Sequence, residues 1–170
     1  MAESLRTRLL RWRFNLHPAY RRSGARLTYV AADLREVRVR LPLCRATRNL
    51  NGTIYGGSIY AAVDPLHAVM LAQLLGPREY VAWTKAAHVR FLRQARTDLE
   101  ARVLLSDEEV REVRAEIARA GKVERRYTVE LTDTHGHVCA ACEITVHLHA
   151  RENRAQTASA AGPLAAPAAS

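Results

Sequence analysis

The sequence is poor in the residues that build disulfide or zinc scaffolds. It has only three cysteines, Cys44, Cys139 and Cys142, in 170 residues. An odd number of cysteines in a chain without a recognisable secretory signal argues against a disulfide framework and indicates a reducing compartment. Cys139 and Cys142 form a C-x-x-C pattern in an alternating segment, where an odd offset sends two side chains to opposite faces of a strand. We therefore expect the cysteines to be small, partly buried residues without redox or metal chemistry, and we expect a cytoplasmic location.

Long apolar runs are also missing. No uninterrupted apolar stretch reaches the roughly 20 residues that a helix needs to cross a bilayer. The closest candidate, residues 54–75, is interrupted by Asp64, Pro65, His67 and Gln73. A helix buried in the core explains such a stretch better than a membrane span. Pro65 removes one backbone donor, so this helix should bend locally.

Acidic residues are too few to balance the basic ones. There are 26 lysines and arginines against 17 aspartates and glutamates, and the formal net charge is +9. Such a charge attracts polyanions in general, including nucleic acid, anionic lipid and phosphorylated ligands. Zinc-finger spacing, an RNA-binding aromatic strand and a Walker loop are all lacking. We therefore do not expect nucleic acid as the main partner.

Residues 1–24 are predicted to form a basic amphipathic helix. Four apolar residues fall on one face of this helix, namely Leu5, Leu9, Trp12 and Leu16. Arginines cover much of the remaining surface, at positions 6, 8, 11 and 13. Docking of the helix on the rest of the protein is the favoured interpretation. Contact with a membrane surface or another anionic partner is the alternative.

Residues 25–150 are predicted to form one α+β domain. Alternating apolar residues indicate strands near 27–31, 36–41, 80–92, 99–105, 127–131 and 138–148. The apolar segment that begins at Gly56 predicts a central helix, and Ser106 opens a surface helix with a capping box completed by Glu109. A curved antiparallel sheet that wraps the central helix would bury it. Residues 151–170 are rich in Ala, Ser and Pro and are predicted to be a disordered tail.

One segment resembles a known enzyme family. Residues 49–64 read NLNGTIYGGSIYAAVD, which is similar to the N-x-x-G-x-x-H-G-G…D pattern of hotdog-fold thioesterases of the phenylacetyl-CoA (PaaI-like) type. The DUF4442 branch of that superfamily is more similar still, because it also has an Asp-Pro in the helix, a Trp-x-Lys strand and an Arg-Phe segment. Here these are Asp64-Pro65, Trp83-Thr84-Lys85 and Arg90-Phe91. The resemblance covers roughly residues 25–149.

The resemblance implies a hotdog-fold acyl-CoA thioesterase. In the family, the amide of the first glycine holds the thioester oxygen, which corresponds to Gly56, and the helix acid is the general base or nucleophile, which corresponds to Asp64. Asn49 either orders its loop or binds the carbonyl region. Many relatives carry His before the double glycine, where this chain has Tyr55. A phenol donates a hydrogen bond but does not titrate near neutral pH, so a base at that position is not expected.

Further residues are candidates for substrate binding. They are Gly57, Tyr55, Ser58, Lys85, Thr84 and Arg90. Lys85 interrupts the alternation of its strand, which indicates either a bulge or a functional polar position, and it could contact the ligand or pair with Asp64. Apart from such roles, Asp64 could be a structural residue bonded to His67 or to a partner subunit. His67 itself is interpreted as a helix-packing residue.

The family also predicts how the protein assembles and what it needs. Hotdog domains pair to extend the sheet, so a homodimer or homotetramer is expected. The coenzyme A thioester is the substrate, and no cofactor or metal is expected. The alternative function is a non-catalytic protein that binds acyl-CoA or a fatty acyl group, since Tyr55 replaces His and Pro65 bends the helix beside Asp64.

Overall fold

A computed structural model describes residues 2–151, so almost all of the predicted tail, residues 152–170, lies outside the described residues. The elements follow one another in this order: α1 (Leu5–Leu16), α2 (Pro18–Arg22), β1 (Arg26–Val30), β2 (Glu36–Leu41), α3 (Gly56–Val63), α4 (Leu66–Leu75), β3 (Tyr80–Phe91), β4 (Leu99–Leu104), α5 (Asp107–Ala120), β5 (Lys122–Asp133) and β6 (Val138–Ala150). The predicted combination of a central helical segment with antiparallel strands is confirmed.

The six strands form one antiparallel sheet in the order β1-β2-β4-β5-β6-β3. The β5–β6 and β3–β6 ladders are long, whereas β4 and β5 pair only at Leu99–Asp133 and Glu100–Thr132. Helix α3 contacts β2 and β6, and α4 contacts β3, β6 and α5. The sheet therefore curves around the helical segment from both sides.

The core forms where alternating strand residues meet the helices. In β2 the buried positions are Val37, Val39 and Leu41, and in β6 every second residue from Ala140 to Leu148 is buried. The helical segment adds Ala62, Val63, Leu66 and Leu71, none more than 2% exposed. Each large apolar side chain buried in this way contributes about 1.5–3 kcal/mol to folding.

The central helical segment is interrupted at Pro65, where a local bend was predicted. Helix α3 ends at Val63 and α4 begins at Leu66, with Asp64 and Pro65 between them in helical backbone conformations. Residues 56–75 together are long and apolar enough to cross a membrane by length and composition alone. Half of that stretch is buried within the protein. The segment is therefore explained as the core helix of this fold.

Helix α1 lies against the outer edge of β1. The side chain of Asn15 accepts a hydrogen bond from the Leu27 amide at 2.8 Å and donates one to the Leu27 carbonyl at 3.0 Å. The carboxylate of Glu3 accepts a bond from the Val30 amide at 2.9 Å. These side chains satisfy backbone groups that an edge strand would otherwise leave open. The helix is thus docked as expected, but its apolar stripe does not make the contact.

Candidate functional site

The N-terminus of α3 points out of a loop that is tied to two other segments. Tyr55 precedes the helix as its N-cap, and its amide donates to the carbonyl of Thr47 at 2.7 Å. The Ile54 amide donates to the carbonyl of Ala95 at 2.9 Å. The amides of Gly56 and Gly57 lie in the first turn, where no intrahelical acceptor is available, at the positive end of the helix dipole. This turn can donate hydrogen bonds to an anionic or polarised oxygen.

Two aromatic rings explain why both positions at the start of α3 are glycine. A Cβ on Gly56 would lie 2.9 Å from Cζ of Phe91, and a Cβ on Gly57 would clash with the ring of Tyr55. Both rings are more than half exposed. The two rings lie beside the turn and are not packed into the core. A flat apolar group could therefore approach the helix start between or beside them.

The neighbouring candidates divide between the loop and the interior. The side chain of Asn49 donates to the Thr53 hydroxyl at 2.9 Å and accepts from the amides of Asn51 at 2.9 Å and of Thr53 at 3.1 Å. Of its two predicted roles, the structure shows loop ordering. Ser58 is buried, and its amide donates to the carbonyl of Tyr55 at 3.0 Å. Ser58 therefore supports the turn from inside.

Asp64 lies at the other end of α3 and is partly exposed. Its Oδ1 accepts a hydrogen bond of 2.6 Å from the hydroxyl of Tyr60, and its carbonyl accepts one of 3.0 Å from the hydroxyl of Thr84. Burial raises the pKa of Tyr60, and the bonded carboxylate raises it further, so the phenol remains a donor. The carboxylate is therefore held in one orientation.

Tyr60 was missing from the predicted site, although its position gave a signal. It precedes Asp64 by four residues, the spacing at which two side chains on a helix meet. His67, in contrast, does not bond to Asp64. Its ring is 3% exposed and stacks on Tyr127 with 4.1 Å between ring centroids. The interpretation of His67 as a packing residue agrees with this geometry.

Lys85 follows Thr84, which bonds to Asp64, but Lys85 itself pairs with another acid. The register of β3 against β6 shifts between Thr84 and Ala86, so of the two alternatives predicted for Lys85 the structure shows the bulge. The ammonium of Lys85 lies 2.5 Å from a carboxylate oxygen of Glu124. That oxygen also lies 3.2 Å from Nδ1 of His147. Tyr60, Thr84 and Lys85 share the wall of a cleft of about 350 Å³.

Asp64 itself lines a larger cavity, which lies between the N-terminal helices and the central ones. Its volume is about 810 Å³. The wall residues from α3, α4 and the segment between them are Ala61, Asp64, Pro65, Val69 and Gln73. The facing wall comes from α1, α2 and the residue between them, namely Arg6, Leu9, Leu10, Arg13, Phe14, His17, Ala19 and Tyr20. Asp64 is therefore accessible to a ligand of considerable size.

The predicted residues form two groups rather than one. Gly56, Gly57 and Tyr55 surround the start of α3, and Arg90 is exposed on β3 next to Phe91 at this end. Asp64, Thr84 and Lys85 form the other group. Eight residues separate Gly56 from Asp64, which corresponds to about 12 Å along a helix axis. One oxygen and one attacking water cannot span that distance, so the two groups of one chain do not act on the same carbonyl.

Metal chemistry has little support in the described part of the chain. Residues 2–151 contain no group of three His, Cys, Asp or Glu side chains able to hold an ion. His147 and His149 instead pack against the ring of Trp83, with centroid distances of 4.5 and 5.3 Å. Cys139 and Cys142 are buried free thiols. The groups that the site offers for chemistry are therefore its carboxylate, hydroxyl and backbone groups.

Comparison with solved structures places this geometry among hotdog-fold proteins. Protein PA5026 of Pseudomonas aeruginosa, described as a probable thioesterase, superimposes with a TM-score of 0.78 at 25% identity, over 89% of this chain and 100% of that one. Thioesterase HI1161 of Haemophilus influenzae gives a TM-score of 0.65 at 12% identity, over 91% of this chain and 96% of that one. No curated protein matches the sequence. The predicted hotdog fold is confirmed.

The family comparison covers most of the same region. The model of DUF4442, a domain of unknown function, matches residues 6–148 and thus includes α1 as well as the sheet and the central helices. The match contains both groups of candidate residues. The chain therefore belongs to the DUF4442 family, within the hotdog fold that it shares with thioesterases.

Proposed function

We propose that the protein hydrolyses an acyl-CoA thioester. The observation that carries the proposal is the carboxylate of Asp64, which a 2.6 Å bond from Tyr60 orients at the wall of the large cavity, on the helix whose first-turn amides are open. An ionised carboxylate in an apolar helix is expensive unless it is paired or used. The likeness to solved thioesterases supports the same reaction class.

Asp64 supplies the base or the nucleophile in this proposal. As a base it takes a proton from water, and the resulting hydroxide attacks the carbonyl carbon of the thioester. As a nucleophile it forms an acyl-aspartyl anhydride that water then hydrolyses. In both routes the carbon–sulfur bond breaks, and the products are a carboxylic acid and coenzyme A thiol.

The amide of Gly56 stabilises the oxyanion that forms on the carbonyl oxygen. One such donor lowers the barrier by about 3 kcal/mol in enzymes where it has been removed by mutation. Gly57 and Tyr55 would contact the ligand beside that amide. Arg90 is exposed on the same end of β3 and would meet a phosphate of coenzyme A. No metal or cofactor takes part in these steps.

A complete site requires two chains, because about 12 Å separates Gly56 from Asp64 along α3. Strand β3 offers the means of pairing. It has 12 residues, lies at the edge of the sheet, and has no second partner strand in the described part of the chain. The other edge, β1, is covered by Asn15 and Glu3. We propose a homodimer through β3, either alone or paired into a homotetramer. In each dimer, Asp64 of one copy faces Gly56 of the other.

Release of free thiol from a panel of acyl-CoAs tests the reaction. Asp64→Asn keeps an oxygen for the Tyr60 hydroxyl but removes the base, and we expect activity to fall on the order of 100-fold or more. Asp107→Asn is the control, since that carboxylate is 75% exposed on α5. Equal activity of wild type and Asp64→Asn refutes Asp64 as the catalytic acid. No turnover of any acyl-CoA refutes the reaction.

A mixture of two inactive variants tests whether the site is shared. Gly56→Leu should block the approach of the thioester, and Asp64→Asn removes the base, so each variant alone is inactive. A heterodimer of the two keeps one intact site if Gly56 and Asp64 come from different chains. Activity should then return to about a quarter of wild type after co-expression. Failure of this rescue, with heterodimers present, contradicts the shared site.

A second candidate function rests on Tyr55. This phenol stands before the double glycine, where many of the resembling thioesterases carry a histidine. The chain could therefore bind acyl-CoA or a fatty acyl group in the cavity of about 810 Å³ without turnover. Mass spectrometry of the purified protein distinguishes the two functions. A retained acyl ligand together with no thiol release favours binding, and rapid turnover excludes it.

A further inference from the structure

Helix α1 is held on the domain by only one of its faces. Thr7 is buried, and Leu10 and Phe14 pack against the core. Glu3 and Asn15 add the hydrogen bonds to β1 described above. The Glu3 carboxylate also accepts from Arg11 at 2.8 Å. The orientation of the helix is therefore fixed by several contacts that are independent of its apolar stripe.

The opposite face carries the apolar stripe into solvent. Leu5, Leu9, Trp12 and Leu16 recur at the spacing of one helix face and are 82, 63, 60 and 57% exposed. Scattered apolar residues on a surface are ordinary, but a contiguous row of four large ones marks an interaction site. Trp, like Tyr, is enriched at bilayer surfaces, where one end of the side chain lies in an apolar region and the other contacts water.

Exposed arginines border the stripe on both sides. At 3.6 residues per turn, Arg6 and Arg13 project from one flank of the stripe and Arg8 from the other. All three are exposed, and within residues 2–151 none of them makes an ion pair. Glu3 is the acid of this segment, and Arg11 occupies it. The surface around the stripe is therefore strongly positive and has no acid of its own to neutralise it.

The cavity beside Asp64 opens along this same surface. Leu9, a member of the stripe, lines it together with Arg6 and Arg13. Val69 and Asp64 lie on the facing wall. An acyl chain that leaves a membrane surface next to α1 would thus have a direct route to the carboxylate.

We propose that α1 docks the protein on an anionic lipid bilayer. The apolar stripe enters the headgroup region while Arg6, Arg8 and Arg13 contact lipid phosphates and carboxylates. A second copy of the chain is the poorer occupant, because two stripes in symmetric contact would bring both sets of arginines together. Charge complementarity therefore selects the membrane. This docking does not depend on thioester hydrolysis, so the two can fail separately.

Vesicle sedimentation of the full chain tests the docking. The vesicles are phosphatidylcholine alone, or phosphatidylcholine with about 30% phosphatidylserine, at about 0.15 M salt. Wild type should bind the anionic vesicles at least roughly tenfold more tightly than the neutral ones. The double variant Leu9→Glu, Leu16→Glu should lose that binding by on the order of tenfold or more. Its matched control is Leu50→Glu, Leu92→Glu, which places the same changes at exposed leucines outside α1.

A second variant separates charge from apolar contact. Replacement of Arg6, Arg8 and Arg13 by Gln should abolish the preference for phosphatidylserine while the stripe stays intact. The thermal midpoint of every variant should match wild type, because all the changed side chains are exposed. Equal loss in the α1 variant and its control, or no vesicle binding by wild type, overturns the proposal. So does an oligomer that dissociates in the Leu9→Glu, Leu16→Glu variant without any binding to vesicles.

Discussion

His67 should make the fold sensitive to mild acid. The ring is 3% exposed, lies parallel to Tyr127, and has an Nδ1 atom without a hydrogen-bond partner. Burial in these apolar surroundings lowers the pKa of His67 from 6.5 to about 4. The unfolded chain therefore binds a proton at His67 between these two pH values, while the folded chain does not. Stability contributed by the neutral ring is complete above pH 6.5 and is lost as the pH falls toward 4.

The magnitude follows from the two pKa values. Each factor of ten between them corresponds to 1.36 kcal/mol, so the whole difference amounts to ~3 kcal/mol, of which ~2.5 kcal/mol is lost by about pH 4.5. The change His67→Phe keeps an aromatic ring against Tyr127 and removes the titration. Between about pH 7.5 and 4.5, the free energy of unfolding of this variant should therefore fall by ~2.5 kcal/mol less than that of wild type.

Urea denaturation at a series of pH values measures the effect. Carboxylates that titrate in the same range affect both proteins equally, so the difference between the two curves isolates His67. His135→Phe, in the exposed turn between β5 and β6, controls for the loss of a histidine as such. Parallel curves for wild type and His67→Phe would refute the argument that the ring is buried in its neutral form.

Two further changes test single interactions. Tyr60→Phe removes the donor to Asp64, and we expect thiol release to fall roughly 10- to 100-fold, since a net hydrogen bond to a charged group is worth about 1.5–3 kcal/mol. Unchanged kinetics would show that the bond does not orient a carboxylate that takes part in the reaction. Gly121 closes α5 at φ +74°, and a Cβ added there would meet no atom within 4 Å. Gly121→Ala should therefore lower the free energy of unfolding by about 1 kcal/mol through backbone strain alone, and a stabilised variant in urea denaturation would contradict this.

The sheet and its core were predictable because they depend on local alternation. Strand β2 has the predicted bounds, and from Cys142 to Leu148 the buried positions of β6 alternate as predicted. Pro65 and the start of α3 at Gly56 were also located, since proline and glycine act on the backbone directly. Even the bulge at Lys85 was visible as one polar residue in a strand that otherwise keeps its phase.

The side-chain partners were less predictable because they depend on which elements meet. The capping box at Ser106 is one case. Ser106 caps α5 as expected, but the carboxylate of Glu109 accepts instead from the Tyr127 hydroxyl at 2.6 Å, a residue on β5. Lys85 likewise pairs with Glu124 on that strand and not with Asp64. In both cases a side chain on β5 replaces the predicted partner. The carboxylate of Glu109 bonds to the hydroxyl of Tyr127, and the ammonium of Lys85 pairs with the carboxylate of Glu124.

The apolar stripe of α1 is a second feature whose contacts could not be predicted from the sequence. The helical spacing of its apolar residues was predicted correctly, and such an apolar face usually packs against the core. Here the contact uses Thr7 and Phe14 together with the polar side chains that bond to the edge of β1. An open strand edge needs hydrogen-bonding groups more than it needs apolar ones. The face that carries these hydrogen-bonding side chains could therefore dock, and the apolar stripe remained available for another partner.

The setting of Asp64 is not one that favours helix stability. Pro65 ends α3, so Asp64 becomes the C-cap, where the last carbonyls of a helix carry partial negative charge and disfavour a carboxylate. Two hydroxyls offset this, because Tyr60 donates to the carboxylate and Thr84 to the carbonyl of the same residue. An amide or a cation at this position would satisfy a helix end with less assistance. The carboxylate thus has one dedicated donor and lines the cavity of about 810 Å³, which is the setting that the proposed reaction needs.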